Sequence, residues 1–364
     1  MPFRLFSMLL AMTLACGCSR TPPPGPIVLG HLNPPRSEDE VQGITLAVDA
    51  LNADPAKHVM SRKIKVIHAD AGASPDEGQG QVARLLTIDK VDGLIGGSRW
   101  PNAEKLAIAA QSPPTVLVAP SGYAGYQPNS LLFPVGLAPT DQGRTLARYV
   151  KENLKGSKVI VLKEGDALLP GLVANSFLES FSGGDRSAAE RTIKGGETPD
   201  YLKDLGNEKP AAIVLCGSAK QVLAWRAKLP GNVPLLFGGE EADVAVLQSD
   251  VDGVKPLEAV VSFHPGDETP AAKEFVRQFS EKYGKPPTLA AALAHDAILV
   301  WAEAARRANS LQADKIREQF LKANATFPVL TGSLSFGPSQ TPRRATLMIR
   351  IGSNRISLIG RYEP

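Results

Sequence analysis

Two thiols, Cys16 and Cys18, stand at the end of an N-terminal apolar run, and their type and place suggest a covalent reaction. The run opens Met1-Pro2-Phe3-Arg4 with a single cation, continues from Leu5 to Ala15 and closes Cys16-Gly17-Cys18-Ser19. A cysteine directly after a small residue at such a boundary is a candidate for thiol acylation. Other reactive side chains are scattered. The histidines His31, His58, His68, His264 and His295 never recur at i+3 or i+4, so no zinc-ligand pattern forms. There is no Walker A loop, and Gly97-Ser98-Arg99-Trp100-Pro101 has proline where a nucleophile elbow needs glycine. Ser310 and Ser335 lack a neighbouring base. No catalytic residue, metal or cofactor is therefore expected. The third thiol, Cys216, closes the run Ala211-Ala212-Ile213-Val214-Leu215, where a free cysteine serves as a small buried hydrophobe.

The N-terminal segment has the basic head, short apolar core and small residues of a secretory signal, and it falls short of the roughly 20 apolar residues a membrane span needs. Its end resembles a bacterial lipobox, with Ala15 three places and Gly17 one place before Cys18. Cys16, preceded by Thr13 and Ala15, fits that pattern less well. The expectation is a signal peptide over 1–17, acylation of Cys18, and a protein held by lipid alone at the periplasmic face of a bacterial membrane. The alternative is an ordinary cleaved secretory peptide. Residues 18–26, with Pro22, Pro23, Pro24 and Pro26, read as a stiff extended tether.

Removing 1–17 from 364 residues leaves 347, more than one domain usually holds, so two are expected. A formal charge of +3, with basic residues dispersed and aromatics at 6%, excludes a nucleic-acid surface of the usual kind. From Ile27 onward, apolar runs alternate with amphipathic segments. Ile27–Gly30, Ile64–Asp70, Val91–Gly96 and Thr115–Ala119 read as strands. Val41, Ile44, Val48 and Leu51 fall on one helix face, Ser74-Pro75-Asp76-Glu77 opens another helix, and 102–111 forms a third. The alternation restarts at Lys158–Leu162, with a helix after Pro170-Gly171, then Ala211–Leu215, a helix from Ala219, and Pro234–Gly239. Continuous apolar strands separated by helices predict parallel sheets covered on both faces. Helices are expected at 269–283, 290–308 and 313–324, and strands at 332–337, 346–351 and 356–359.

The order of these segments resembles the type I periplasmic binding proteins of the branched-chain amino-acid receptor family, from Ile27 to about Phe336. The residues that carry the resemblance are Gly43–Asn52 after the first strand, Asp89–Gly97, Gly195–Tyr201, Phe275–Pro286 and Ala294-His295-Asp296-Ala297. The resemblance implies an α/β fold of two Rossmann-like lobes with parallel sheets, joined by three hinge crossings near 133–138, 260–264 and 327–332. Lobe 1 would comprise 27–135 plus 263–327, and lobe 2 136–262 plus 328–364. It further implies a small polar ligand, an amino acid or related amide or carboxylate, held between the lobes and delivered to an ABC permease.

Carried onto this sequence, the family's ligand loops fall at Ser98, Arg99 and Trp100, at Ser121 and Tyr123, and at Glu241. Trp100 and Tyr123 replace the family's usual serine and threonine, and Leu168-Leu169-Pro170-Gly171 keeps only the last glycine of its Tyr-Gly-x-Gly loop. Arg99 could pair with an anionic group, and Trp100 or Tyr123 could stack on a ring. Glu241 falls where the family meets a ligand ammonium, with Glu240 beside it. The loop Asn33-Pro34-Pro35-Arg36-Ser37 would also face the cleft, with Arg36 as a rim candidate, and His295 is a ligand contact or a helix-packing residue. Other readings of the same fold are a ligand-sensing module without transport, and an enzyme with scattered catalytic residues.

Overall fold

The computed structural model describes residues 25–364 except 36, 73, 123–129, 166, 250–254 and 353–354. The first sheet contains β1 (Ile27–Asn33), β2 (Ile64–Asp70), β3 (Gly93–Gly96), β4 (Leu117–Ala119) and β5 (Leu132–Pro134), with α1 (Glu38–Ala53), α2 (Pro75–Thr87) and α3 (Trp100–Ala109) between successive strands. Its order is β2-β1-β3-β4-β5, and every pair is parallel. All residues of β3, β4 and β5 are buried, which is why these strands are unbroken apolar runs. Ile44 and Leu51 of the predicted α1 face are buried, with Gly43 and Ala47 beside them. Ser74 caps α2 by accepting from the Glu77 N–H.

The chain then forms α4 (Pro139–Tyr149), β6 (Lys158–Glu164), α5 (Leu168–Phe181), β7 (Ser187–Ile193), β8 (Ala212–Cys216), α6 (Ala219–Lys228), β9 (Leu235–Gly238), α7 (Asp243–Ser249) and β10 (Leu257–Val261). It continues through α8 (Pro270–Tyr283), α9 (Leu289–Ala308), α10 (Ala313–Leu321), β11 (Thr326–Val329), β12 (Gly332–Phe336), β13 (Pro342–Arg344), β14 (Thr346–Ile351) and β15 (Ile356–Tyr362). The second sheet has the order β15-β14-β10-β9-β8-β6-β7. It is parallel from β7 to β10, with β14 and β15 antiparallel at the other edge. β7, a half-exposed edge strand of sequence SAAERTI, has too little apolar alternation to be read from sequence. α5 starts two residues before Pro170, since proline is tolerated in a helix's first turn.

α9 runs beneath the first sheet, and Gly43 lets α1 lie against it: a Cβ there would stand 2.0 Å from the Ala291 carbonyl oxygen. The third crossing differs from expectation. Phe327, Val329, Leu334 and Phe336 share a buried cluster with Phe133, Trp301 and Phe320 of the first lobe. Phe133 stacks on Phe320 with ring centroids 4.0 Å apart, and Phe336 meets Phe133 edge-on at 5.4 Å. The small antiparallel sheet β11-β12-β13 therefore packs on the first lobe, and the chain enters the second sheet at Ala345, between β13 and β14. The crossing expected at 327–332, and the second-lobe assignment from 328, move to 345 accordingly. Strand-like periodicity located these segments without saying which sheet they join.

Candidate functional site

The carboxyl ends of β1, β3 and β4 in one lobe and of β6, β8 and β9 in the other carry the loops that form the candidate site, as in open parallel sheets generally. After β3, Gly96 and Gly97 take φ values of +152° and +80°, and a Cβ on Gly97 would come within 2.6 Å of the Ala103 Cα. Only glycine turns the chain this tightly over the start of α3. Ser98 follows, but its hydroxyl points inward and donates to Glu40 Oε1 at 2.5 Å. Glu40, in the first turn of α1, is 1% exposed, and its other oxygen lies 3.2 Å from Nε2 of the fully buried His31. Nδ1 of His31 is 2.9 Å from Nδ1 of His68, so one ring must donate to the other. Burial, and then the neighbouring His31, lower the His68 pKa to about 4. This chain of four polar residues joins β2, β1 and α1 to the 97–99 loop. Sequence reasoning missed it, because His31 and His68 face each other only through the β1–β2 register.

Ser121, after β4, is 3% exposed and its hydroxyl has no hydrogen-bond partner. At the end of β1, the side-chain oxygens of Asn33 and Gln42 are likewise buried without a partner, beside a cavity of about 320 Å³ that both residues line with Ser37, Glu38 and Val41. Asn33 begins the 33–37 loop expected to face the cleft, whereas Gln42 belonged to no expected site. Trp100 is the first residue of α3, and its side chain lies outside what the structure describes. Tyr123, Arg36 and Cys18 lie outside the described residues altogether.

In the second lobe, Glu240, Glu241 and Asp243 follow β9. Arg99 reaches across from the first lobe, with Nη1 donating to Glu240 Oε2 and Nη2 to Asp243 Oδ1, each at 2.8 Å. Burial opposes the charge on Arg99, but the Asp243 and Glu240 contacts outweigh it and hold its pKa above the ordinary guanidinium value. Asp243 also accepts from the Ala219 N–H at the start of α6, at 2.9 Å, so the acidic loop is braced within its own lobe.

Glu241 faces elsewhere. It is 3% exposed; Oε1 accepts from the Leu137 N–H at 2.7 Å, and Oε2 accepts from the N–H and hydroxyl of Ser262 at 2.8 and 2.6 Å. Leu137 and Ser262 belong to the first and second crossings, so the carboxylate clasps the hinge. Ser121 meets it there: a Cβ on Gly136 would stand 2.6 Å from both Glu241 Oε1 and the Ser121 carbonyl carbon. The structure thus groups the expected residues as Ser98 with Arg99 on one loop, and Ser121 with Glu241 at the hinge. The acids directed at the first lobe's Arg99 are Glu240 and Asp243.

Behind this clasp, Arg344 at the end of β13 is 1% exposed. Its Nη1 donates to the Val135 carbonyl at 2.5 Å, and its Nη2 to Asp296 Oδ2 and Thr331 Oγ1, each at 2.9 Å. Asp296 also accepts from the Leu330 N–H at 2.8 Å. His295, next to Asp296 on α9, packs on Phe275 with ring centroids 4.7 Å apart, and burial lowers its pKa to about 3, so it is a neutral packing residue.

Among the described residues, no group of three or more His, Cys, Asp or Glu is arranged to hold a metal ion, and no helix is long and apolar enough to cross a membrane. The arrangement suits noncovalent capture: two braced polar loops face each other across a hinge.

The family model of the periplasmic binding proteins matches residues 35–354. No curated protein sequence matches the chain. The structure is similar to that of the leucine-binding protein LivK from Thermotoga maritima, with 19% identity, a TM-score of 0.70, and coverage of 93% of this chain and 99% of that one. It is also similar to the branched-chain amino-acid transporter substrate-binding protein LivJ from Streptococcus pneumoniae in complex with isoleucine, with 23% identity, a TM-score of 0.72, and coverage of 93% and 100%. A solute-binding protein of an ABC transporter from Rhodopseudomonas palustris, in complex with 3,4-dihydroxybenzoic acid, matches with 18% identity, a TM-score of 0.69, and coverage of 93% and 97%. The chain therefore belongs to the periplasmic binding protein family, and its two lobes have the type I fold of the leucine- and branched-chain amino-acid-binding proteins.

Proposed function

We propose that the chain is the solute-capturing lipoprotein of an ABC importer, anchored through Cys18 and closing on a small carboxylate-bearing ligand, an amino acid or a related acid or amide. The observation that carries this reading is the Arg99 bridge to Glu240 and Asp243, which sets complementary charge on the two lobes at the loops where such folds bind solutes. A ligand carboxylate can take one face of the Arg99 guanidinium, and an ammonium or hydroxyl can take the acids it leaves. The ligands bound to the two relatives above, isoleucine and 3,4-dihydroxybenzoic acid, both carry a carboxylate. Backbone N–H groups around Ser121 and Gly122, and the free Ser121 hydroxyl, would complete the first-lobe contacts.

A thermal-shift panel of amino acids, their amides, and aliphatic and aromatic carboxylates tests the reading. At 100 times its Kd a ligand adds about 2.7 kcal/mol of stability, a readily measured shift. A rise with at least one of these ligands is expected. No response from any class would overturn the proposal. Anchoring is tested separately: Cys18→Ala should move the protein from the detergent phase to the aqueous phase, and an unchanged partition would remove the lipid anchor.

A further inference from the structure

A second cavity, of about 390 Å³, opens away from the strand-end loops, where α4 meets the junction of β13 and β14 and the end of β15. Arg144, Arg148, Arg343 and Arg344 are among the residues that line it, with Asp141, Glu363 and Pro364. We propose that this cavity is a binding site for a small oxyanion carrying two or more negative charges, such as a polycarboxylate or phosphate.

Three features support it. Arg344 is 1% exposed and its guanidinium donates to the hinge, so it adds its charge from behind the cavity wall. Arg343 is exposed and forms no ion pair among the described residues. Arg144 and Arg148 lie one helical turn apart on α4, a spacing at which like charges repel. Their own partners, Asp141 and Glu152, are local helix neighbours, and pairs made by arginines 54% and 55% exposed hold weakly. A bound oxyanion would therefore displace little while gaining several charge-assisted hydrogen bonds. A small solute fits a recess of this size better than an acidic segment of another protein does.

Position gives the site a consequence. Arg344 binds the Val135 carbonyl and the Thr331 hydroxyl, on segments leading into and out of the crossings, while Arg144 and Arg148 travel with the second lobe. Occupancy would couple to hinge movement, and hence to the cleft, by a differential affinity for the open and closed states. The site stands on its own residues, whichever ligand the cleft takes.

Titration calorimetry and thermal shift on the full chain test it, with citrate, inorganic phosphate and sulfate as probes and sodium chloride at matched ionic strength as control. The expected result is saturable one-to-one binding of at least one divalent or trivalent probe. That binding should weaken tenfold or more in Arg343→Gln and Arg148→Gln and persist in Arg99→Ala. The comparison of citrate with phosphate distinguishes the two oxyanion classes. Arg343→Gln alters an exposed, unpaired side chain, so its melting temperature without the probe should match the parent. A response no larger than that to chloride, equal affinity in both arginine variants, or loss in Arg99→Ala instead would overturn the proposal. Binding only of an acidic peptide, with none of the three probes, would overturn it in favour of a protein partner.

Discussion

Arg344 and Asp296 form an ion pair 2.9 Å long in which the two side chains are 1% and 0% exposed. They lie 48 residues apart, on β13 and α9, and the pair sits where the crossings come together. Taking one partner from a buried pair leaves an uncompensated charge, which typically costs about 3–5 kcal/mol. Asp296→Ala should therefore lower the free energy of unfolding by roughly that amount in urea titrations. A loss comparable to that of a surface substitution would mean that the pair does not hold the hinge.

Glu241 separates a hinge role from a ligand role. Gln in its place cannot accept from Leu137 N–H, Ser262 N–H and Ser262 hydroxyl as the carboxylate does, and one buried donor would face another. Glu241→Gln should lose about 1–3 kcal/mol of stability without any ligand present. If unliganded stability is unchanged and only ligand affinity falls, Glu241 is a ligand contact instead of a clasp.

Arg99 predicts the opposite balance. Its side chain is 45% exposed, so breaking its pairs with Glu240 and Asp243 should cost less than about 1 kcal/mol of stability. The effect should appear in shape: Arg99→Ala, which removes both interlobe contacts, should raise the radius of gyration of the unliganded protein in small-angle scattering. An unaltered scattering curve would show that these ion pairs do not hold the lobes together.

Acid should destabilise the protein through two histidines with lowered pKa values, the buried His295 and the partly desolvated His68. His295 has a folded-state pKa of about 3 and His68 of about 4, both below the ordinary 6.5. Between those values and 6.5 the unfolded chain binds protons that the folded chain does not, so stability falls as pH drops from about 6.5 towards 4. At about 1.4 kcal/mol per unit, His295 alone should remove roughly 3 kcal/mol by pH 4. His68 lies on a more exposed strand and should contribute less. Urea midpoints from pH 7 to 4 should decline more gently in His295→Gln than in the parent, and parallel curves would refute this account.

Much of the fold was legible because its cause is local. Parallel strands buried on both faces must be apolar throughout, so Leu94-Ile95 and Ile213-Val214-Leu215 declare themselves, as does the Ser74 cap of α2. The half-exposed edge strand β7 carries no such mark. The site was less legible. Arg99 stood out as a cation in a strand-end loop, whereas Glu40 and Gln42 looked like ordinary polar residues of a helix start.

The sequence by itself determined the alternation of strand and helix, the parallel strands of the two large sheets and the loops at their carboxyl ends, since burial and periodicity act within a few residues. Tertiary structure alone decided which polar groups meet. It put Arg99 against Glu240, 141 residues away, turned Glu241 into the hinge, and joined Arg344 to Val135 across 209 residues. It also kept β11–β13 on the first lobe by packing Phe327 and Phe336 against Phe133 and Phe320. A side chain's type limits the partners it needs when buried, but the path of the whole chain chooses among them.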